Sequence, residues 1–488
     1  MSILGIDFGT AFSFPSFMSN GSPCSLLKPS VNGTRGIPSI LYYDKSKGVV
    51  VGTTAEKYMR QSPTNGVVHI KRNLLDSPIV PYDHISLDGK LFTKQEICAK
   101  ILATVVDIAN KQLEEEYLEE KATEAVLTIP ATFGHIERTI LQKALETPKS
   151  QGGSGLKLRG FLPEPVAAAI DYSEKTASKN RVLVYDLGAG TFDIALLEPT
   201  RSDRQPYRVK DTAGISKGAA GNDFDTAFAD FLVDRIGREH GFTVQKDTRE
   251  FANLLNEARD AKEKLSEEKE TILSYQFKGD FIELDVKRSE FEGVTHSVLQ
   301  RSMDLTRKFV RKHNLYDASD LVTILVGGSS HIRQVQTSIQ QITGSNVKVL
   351  KYRPEQAISF GAARYAVNES AVLQVAPHSY GVENSKNGIV IILQKGVPLP
   401  TEWKYQSFFT ASPDQTETPF NVFETDSLVE CPSTNGKKLY TVHVKWDKPV
   451  PQGTSCPAEM RLTKDGSLEI RATNSVNGKP FEGSIVLS

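Results

Sequence analysis

A chain of 488 residues exceeds what one hydrophobic core holds and is expected to divide into two to four domains. Hydrophobic residues at 39% and charged residues at 24% fit an ordinary globular protein, and a formal net charge of −1 supplies no field to recruit nucleic acid or an anionic membrane. No apolar run approaches the ~20 residues of a membrane helix, and no basic, aromatic-interleaved patch points to nucleic acid.

The N-terminus enters a strand without a charged leader, so a cytoplasmic location is expected. Cys24, Cys98, Cys431 and Cys456 are scattered without metal-ligand spacing and read as free thiols in a reducing compartment.

The first predicted elements are strands over residues 2–7 and 12–18. Between them lies Gly5-Ile6-Asp7-Phe8-Gly9-Thr10, an apolar run that breaks into an Asp-x-Gly turn ending in Thr. Further strands are expected over 37–43 and 48–52. Ile97, Ile101, Val105, Ile108 and Leu113 recur at helical spacing, which predicts a helix over 93–121 whose charged end is a solvated face. Residues 125–129 form a buried strand by their unbroken apolar character, and 149–155 are a Gly/Ser-rich surface loop.

The pattern restarts at 181–186. Asp186-Leu187-Gly188-Ala189-Gly190-Thr191-Phe192-Asp193 repeats the first motif, and helices follow over 223–239 and 249–268. A strand over 321–326 runs through Gly327-Gly328-Ser329-Ser330 into another helix, and 361–367 is helical. From Val375 the helical period disappears. Short strand runs over 389–393, 403–410, 441–445, 460–462 and 468–472 alternate with turns such as Asn435-Gly436 and Lys464-Asp465-Gly466, the pattern of an all-β domain.

The repetition of the Asp-x-Gly hairpin carries the chemistry. Such a turn brings backbone N–H groups, a hydroxyl and a carboxylate against a phosphate chain and its metal. Two copies a domain apart suggest related lobes gripping one nucleotide from opposite sides. Phosphoryl transfer needs a cradle for phosphates, a divalent ion, a placed water and positive charge. Asp7, Asp186 and Asp193 suit Mg2+ held through water; Gly9, Gly188 and Gly190 admit phosphate; Thr10 and Thr191 offer hydroxyls. Lys71 is a cation after an apolar stretch, and Glu164 sits between Pro163 and Pro165 at a helix start. Each alone has an ordinary reading as a common turn, a solvated lysine or a helix beginning. The ordered set overturns it.

That set resembles the Hsp70 (DnaK-like) chaperone family in a short, lidless form. Residues 5–10 and 186–193 are similar to its two phosphate motifs, 125–133 to the strand before its first crossing helix, and 164–169 to its glutamate turn. Residues 326–332 resemble its adenosine motif, 354–363 its second crossing helix, and 375–381 the entry to its substrate domain. The resemblance implies a multidomain α/β plus β chain. A bilobed actin-like ATPase domain would cover 1–369, a linker 370–374 and a β-sandwich substrate-binding domain 375–488, with no helical lid.

Carried across, Lys71 places the attacking water, assisted by Glu164, Asp186, Thr191 and Asp193. Asp7, Gly9, Thr10, Ala11, Phe12, Gly188, Ala189 and Gly190 hold the phosphates, with Asp7 and Asp186 toward the metal. Arg259, Lys262, Glu263, Ser266, Gly327, Gly328, Ser329, His331 and Glu355 border adenine and ribose. The implied cofactors are ATP or ADP with Mg2+, and K+ is left open as a further ion. Pro130, Arg138 and Leu373 couple nucleotide state to the β domain, where Asn384, Ser385, Phe420 and Val422 face peptide.

Several positions depart from the family pattern. Ala189 stands for a glycine and requires a negative φ; Arg259 replaces an acidic ribose contact; His331 replaces a stacking arginine. Ala371-Val372-Leu373-Gln374 lacks the leucine-rich, acid-ended linker, while Pro163 and Gly160 alter the region where J-domain cochaperones dock.

The implied function is a slow ATPase whose nucleotide state controls weak, fast binding of unfolded polypeptide. Its partners would be clients, a J-domain cochaperone and a nucleotide-exchange factor, without nucleic acid or membrane. The alternative is a regulatory or scaffold subunit that binds ATP structurally and partners a J-protein or other cochaperone. A small-molecule kinase of the same superfamily is disfavoured by the β module.

Overall fold

The computed structural model describes residues 2–27, 36–74, 84–176, 180–202, 207–246, 248–369, 372–472 and 485–487. Among these, one compact unit takes in residues up to 132 and 141–372, and a second takes in 133–140 and the residues from 373 on.

The first unit contains the same sheet twice. One runs Lys157–Pro163, Glu124–Ile129, Ile3–Phe8, Phe12–Ser19, Ser22–Ser25, with Ile37–Pro38 also paired to Phe12–Ser19. The other runs Lys348–Lys351, Leu321–Val326, Arg181–Leu187, Phe192–Pro199, Tyr207–Ile215, Val372–Leu373. In both, an antiparallel hairpin carries two parallel strands beside its first strand. Parallel neighbours need crossovers, supplied largely by helices.

One crossover helix is Lys94–Glu116, begun by a reciprocal cap in which Glu96 N donates to Thr93 Oγ1 at 3.1 Å and Thr93 N to Glu96 Oε2 at 2.7 Å. It stops short of the expected residue 121 because Glu114, Glu115 and Glu116 set negative charge against the negative end of the helix dipole. The expected loop over 149–155 contains the 3-10 turn Lys149–Gln151.

Two helices, Glu164–Thr176 and Ala357–Val367, pack at backbone contact. A Cβ at Gly361 would lie 1.8 Å from Ala167 O, and one at Gly5 only 2.3 Å from Ala363 N, so glycine is required at both. Asp171 on the first helix is fully buried and accepts from Arg364 Nε of the second at 2.9 Å and from Tyr352 Oη at 2.9 Å. Paired in this way the buried carboxylate is tolerated; removing its partners would leave an uncompensated charge.

The hairpin Glu270–Phe277 and Asp280–Lys287 is absent from the sequence reading. Leu273, Tyr275, Phe277 and Ile282, Leu284, Val286 alternate inward, and Lys278-Gly279 turns with φ of 50° and 104°. With helices Gly221–His240 and Arg249–Glu267 it builds a common core. Among the described residues no helix is long and apolar enough to cross a membrane.

The second unit is β-rich. A six-stranded sheet runs Cys431–Pro432, Gly388–Leu393, Ser379–Glu383, Gln415–Thr425, Lys437–Val450, Ile485–Leu487, and a three-stranded one Lys404–Gln406, Ala458–Leu462, Leu468–Ala472. The run expected as a strand over 403–410 pairs only at Lys404–Gln406, with Phe409 making a lone bridge to Ser455. Phe420, Val422 and Phe423 are all buried: Phe420 and Val422 face one side, and Phe423 faces the other, where it packs with Ile389 and Cys431. The four cysteines are free thiols.

Candidate functional site

Each hairpin delivers its acidic residue from the end of a central strand. Asp7 closes the strand Ile3–Phe8 opposite Phe14, and Asp186 pairs directly with Asp193. The glycines answer to space rather than to φ. A Cβ at Gly9 would stand 2.1 Å from Phe12 O, and one at Gly190 2.4 Å from Thr10 Oγ1. The two hairpins thus meet face to face. Ala189 keeps a negative φ, as the methyl demands.

Between the hairpins opens a cleft of about 370 Å³, within the usual size of a ligand pocket. It is lined by Asp7, Gly9, Thr10, Ala11, Phe12, Gly188, Ala189, Gly190, Arg259, Lys262, Glu263, Ser266, Gly327, Gly328, Ser329, His331 and Glu355. These are all the residues assigned to nucleotide contact from sequence. Glu164, Asp186 and Thr191 join them, whereas Lys71 and Asp193 lie behind the wall.

Asn222 and Asp225 also line the cleft and were missed. A signal existed: Gly218-Ala219-Ala220-Gly221 runs straight into a helix N-terminus, a common seat for anions.

Lys71 belongs to the one-turn helix Ile70–Asn73, is buried, and forms an ion pair with Glu164. Asp7 accepts from Thr128 Oγ1 at 3.3 Å; burial, then repulsion from Glu164, pushes its carboxyl up to about 7. Burial followed by Glu164 raises Asp193 to about 7 as well, and Asp186 is driven well above the usual range by burial and by Glu164, Asp193 and Asp7. Asp193 Oδ1 accepts from Ala131 N at 2.9 Å, which ties the second hairpin to the residue after Pro130.

These carboxylates fit a magnesium nucleotide. Oδ2 of Asp186 and Oδ2 of Asp193 are buried acceptors without partners, and a cation would relieve the mutual repulsion. Among the described residues no group of three His, Cys, Asp or Glu side chains is arranged to hold a metal alone. Asp7 and Asp186 would therefore act on Mg2+ through water and phosphate oxygens.

On the opposite wall Arg259 Nε meets Asp225 Oδ2 at 3.2 Å and Lys262 Nζ meets Asp225 Oδ1 at 2.6 Å. Asp225 thereby returns an acid beside the basic residue Arg259. Ser329 Oγ donates to Gly188 O at 3.3 Å, joining the wall to the second hairpin, while His331 is exposed.

In the second unit Arg138 is buried, donating to Phe133 O at 3.3 Å and to Asp465 O at 2.6 Å. Leu373 lies in the short strand Val372–Leu373. Asn384 is committed to its own loop: Oδ1 accepts from Lys386 N and Gly388 N, both at 2.9 Å, and Nδ2 donates to Glu430 at 2.7 Å. Ser385 is exposed at the turn, and Phe420 and Val422 are interior.

A family model described as Hsp70 protein matches residues 3–486. The chain belongs to the Hsp70 family. Membership carries a general chaperone role with ATP binding, and Hsp70 proteins are ATPases that bind ATP or ADP with Mg2+, unfolded clients and cochaperones.

The hairpin contact yields a prediction for this Hsp70 protein. Gly190→Val puts a branched side chain where Thr10 stands, and such overpacking costs ~1–3 kcal/mol. ADP affinity, measured by calorimetry, is expected to fall about tenfold or more. An unchanged affinity would show that the two hairpins do not share a ligand.

Proposed function

We propose that this Hsp70 protein hydrolyses ATP slowly in the hairpin cleft and lets nucleotide state set its affinity for extended client chains. The observation that carries the reading is the buried Lys71–Glu164 pair beside Asp7, Asp186 and Asp193. Lys71 supplies positive charge, Glu164 orients the attacking water, and Asp193 with Thr191 fixes the second hairpin. Mg2+ when bound would neutralise charge on the phosphates.

The client surface is proposed in the β unit, where Tyr405, Phe409, Leu428 and Val429 are exposed. Among the described residues from 373 on, the helical element is the 3-10 turn Ser433–Asn435. Peptide held by these strands alone would be released quickly. Free cysteines favour a reducing compartment, and the cytoplasm is the proposed location.

A second reading, a scaffold subunit with structural ATP and a J-protein or other cochaperone as fixed partner, is favoured by one observation. The Asn384 loop satisfies its own hydrogen bonds, and Phe420 and Val422 are buried. Steady-state ATP hydrolysis with and without an apolar peptide separates the two. Turnover that rises with peptide supports the chaperone; bound ATP with background turnover and no peptide response supports the scaffold.

A further inference from the structure

Asn222 stands in the cleft wall beside the second hairpin, in the first turn of the helix Gly221–His240. Its backbone N–H donates to Ala189 O at 2.8 Å, and that of Gly221 to Gly188 O at 2.9 Å. Gly221 leaves no slack in this joint, because a Cβ there would fall 2.4 Å from Ser329 Oγ and 3.1 Å from Ala189 Cα. The helix start and the hairpin are therefore joined by two backbone hydrogen bonds with no room between them. Asn222 keeps a fixed place beside Gly188, Ala189 and Gly190.

The side chain at that place has no protein partner. Among the described residues lining the cleft, Asn222 Nδ2 is the buried side-chain donor without a hydrogen bond. A buried donor left so is costly, and native sites that keep one do so for a reason.

The surrounding charges narrow the ligand. Asp7, Glu164, Asp186, Glu263 and Glu355 present carboxylates to the cleft, and Arg259 and Lys262 are drawn onto Asp225. An anionic ligand beside the second hairpin thus meets mostly acceptors, and Asn222 offers a neutral donor.

We infer that the Asn222 amide reads the phosphate chain of the nucleotide, donating to a phosphate oxygen beside Gly188–Gly190. The inference rests on the nucleotide reading above. It makes Asn222 a specificity residue for nucleotides over nucleosides. Aspartate in its place keeps the shape but offers lone pairs to a phosphate instead of hydrogens.

The test is calorimetric titration of the full chain with ADP and Mg2+ and, separately, with adenosine. N222A is expected to weaken ADP about five- to tenfold and N222D about fiftyfold or more, with adenosine within about twofold in both. If N222D does not fold, N222A and adenosine decide alone. ADP affinity unchanged in N222A, or adenosine weakened as much as ADP, would overturn the assignment. Failure of the unmutated chain to bind ADP would instead overturn the nucleotide reading and this inference with it.

Discussion

Lys71→Met is expected to lower steady-state ATP turnover by about 100- to 1000-fold, the scale of losing one charged group aimed at a transition state, while ADP affinity shifts less than about threefold. The split follows from where Lys71 stands. It is buried behind the cleft wall, its ammonium on Glu164 and 6.0 Å from the Phe8 ring, so a resting ligand need not touch it. Methionine fills the same apolar stem without the charge. Glu164 then loses its cation and the nearby carboxylates lose an attraction that lowers Asp7, Asp186 and Asp193. Rapid-quench and equilibrium binding on one preparation give the two numbers. Equal losses in both would remove Lys71 from the chemical step.

Asp193→Asn is expected to make the ligand-free protein more stable, by about 2–4 kcal/mol at pH 8. Asp193 is held near 7, first by burial and then by Glu164, against an ordinary value of 3.8. Between about pH 4 and pH 7 the folded chain therefore keeps a proton that the unfolded chain has released. Stability falls as pH rises through that window and levels off above it. Asparagine cannot ionise and can still accept from Ala131 N. Urea unfolding in EDTA at pH 4.5 and pH 8 should show the variant's advantage at the higher pH and its near disappearance at the lower. An advantage independent of pH would mean the gain comes from packing rather than ionisation.

What the sequence revealed was local. Residues 5–10 and 186–193 announce themselves because a strand, a turn and a hydroxyl lie within a few positions, and the structure brings both runs to one cleft. The glycine-bounded entry to the helix at Gly221 is legible, but the place of Asn222 and Asp225 in the cleft is not, because it depends on the hairpin that the helix start abuts, through contacts with residues 188 and 189. The charge partners of Arg259 were illegible for the same reason, since Asp225 lies 34 positions away.

In the β unit, alternation along Gln415–Thr425 shows that Phe420 and Val422 share one face and Phe423 the other, but not that both faces are covered, since Phe423 packs with the distant Ile389 and Cys431. The hairpin at 270–287 was legible and overlooked, its period-two pattern interrupted only by Lys278-Gly279.

The claim on which all this depends is that both hairpins hold one magnesium nucleotide. Calorimetric titration of the full chain with ATP and Mg2+ tests it most directly. One site per chain is expected, weakened about tenfold or more in Gly190→Val. No heat of binding in the unmutated protein, or binding that ignores Gly190→Val, would contradict the account.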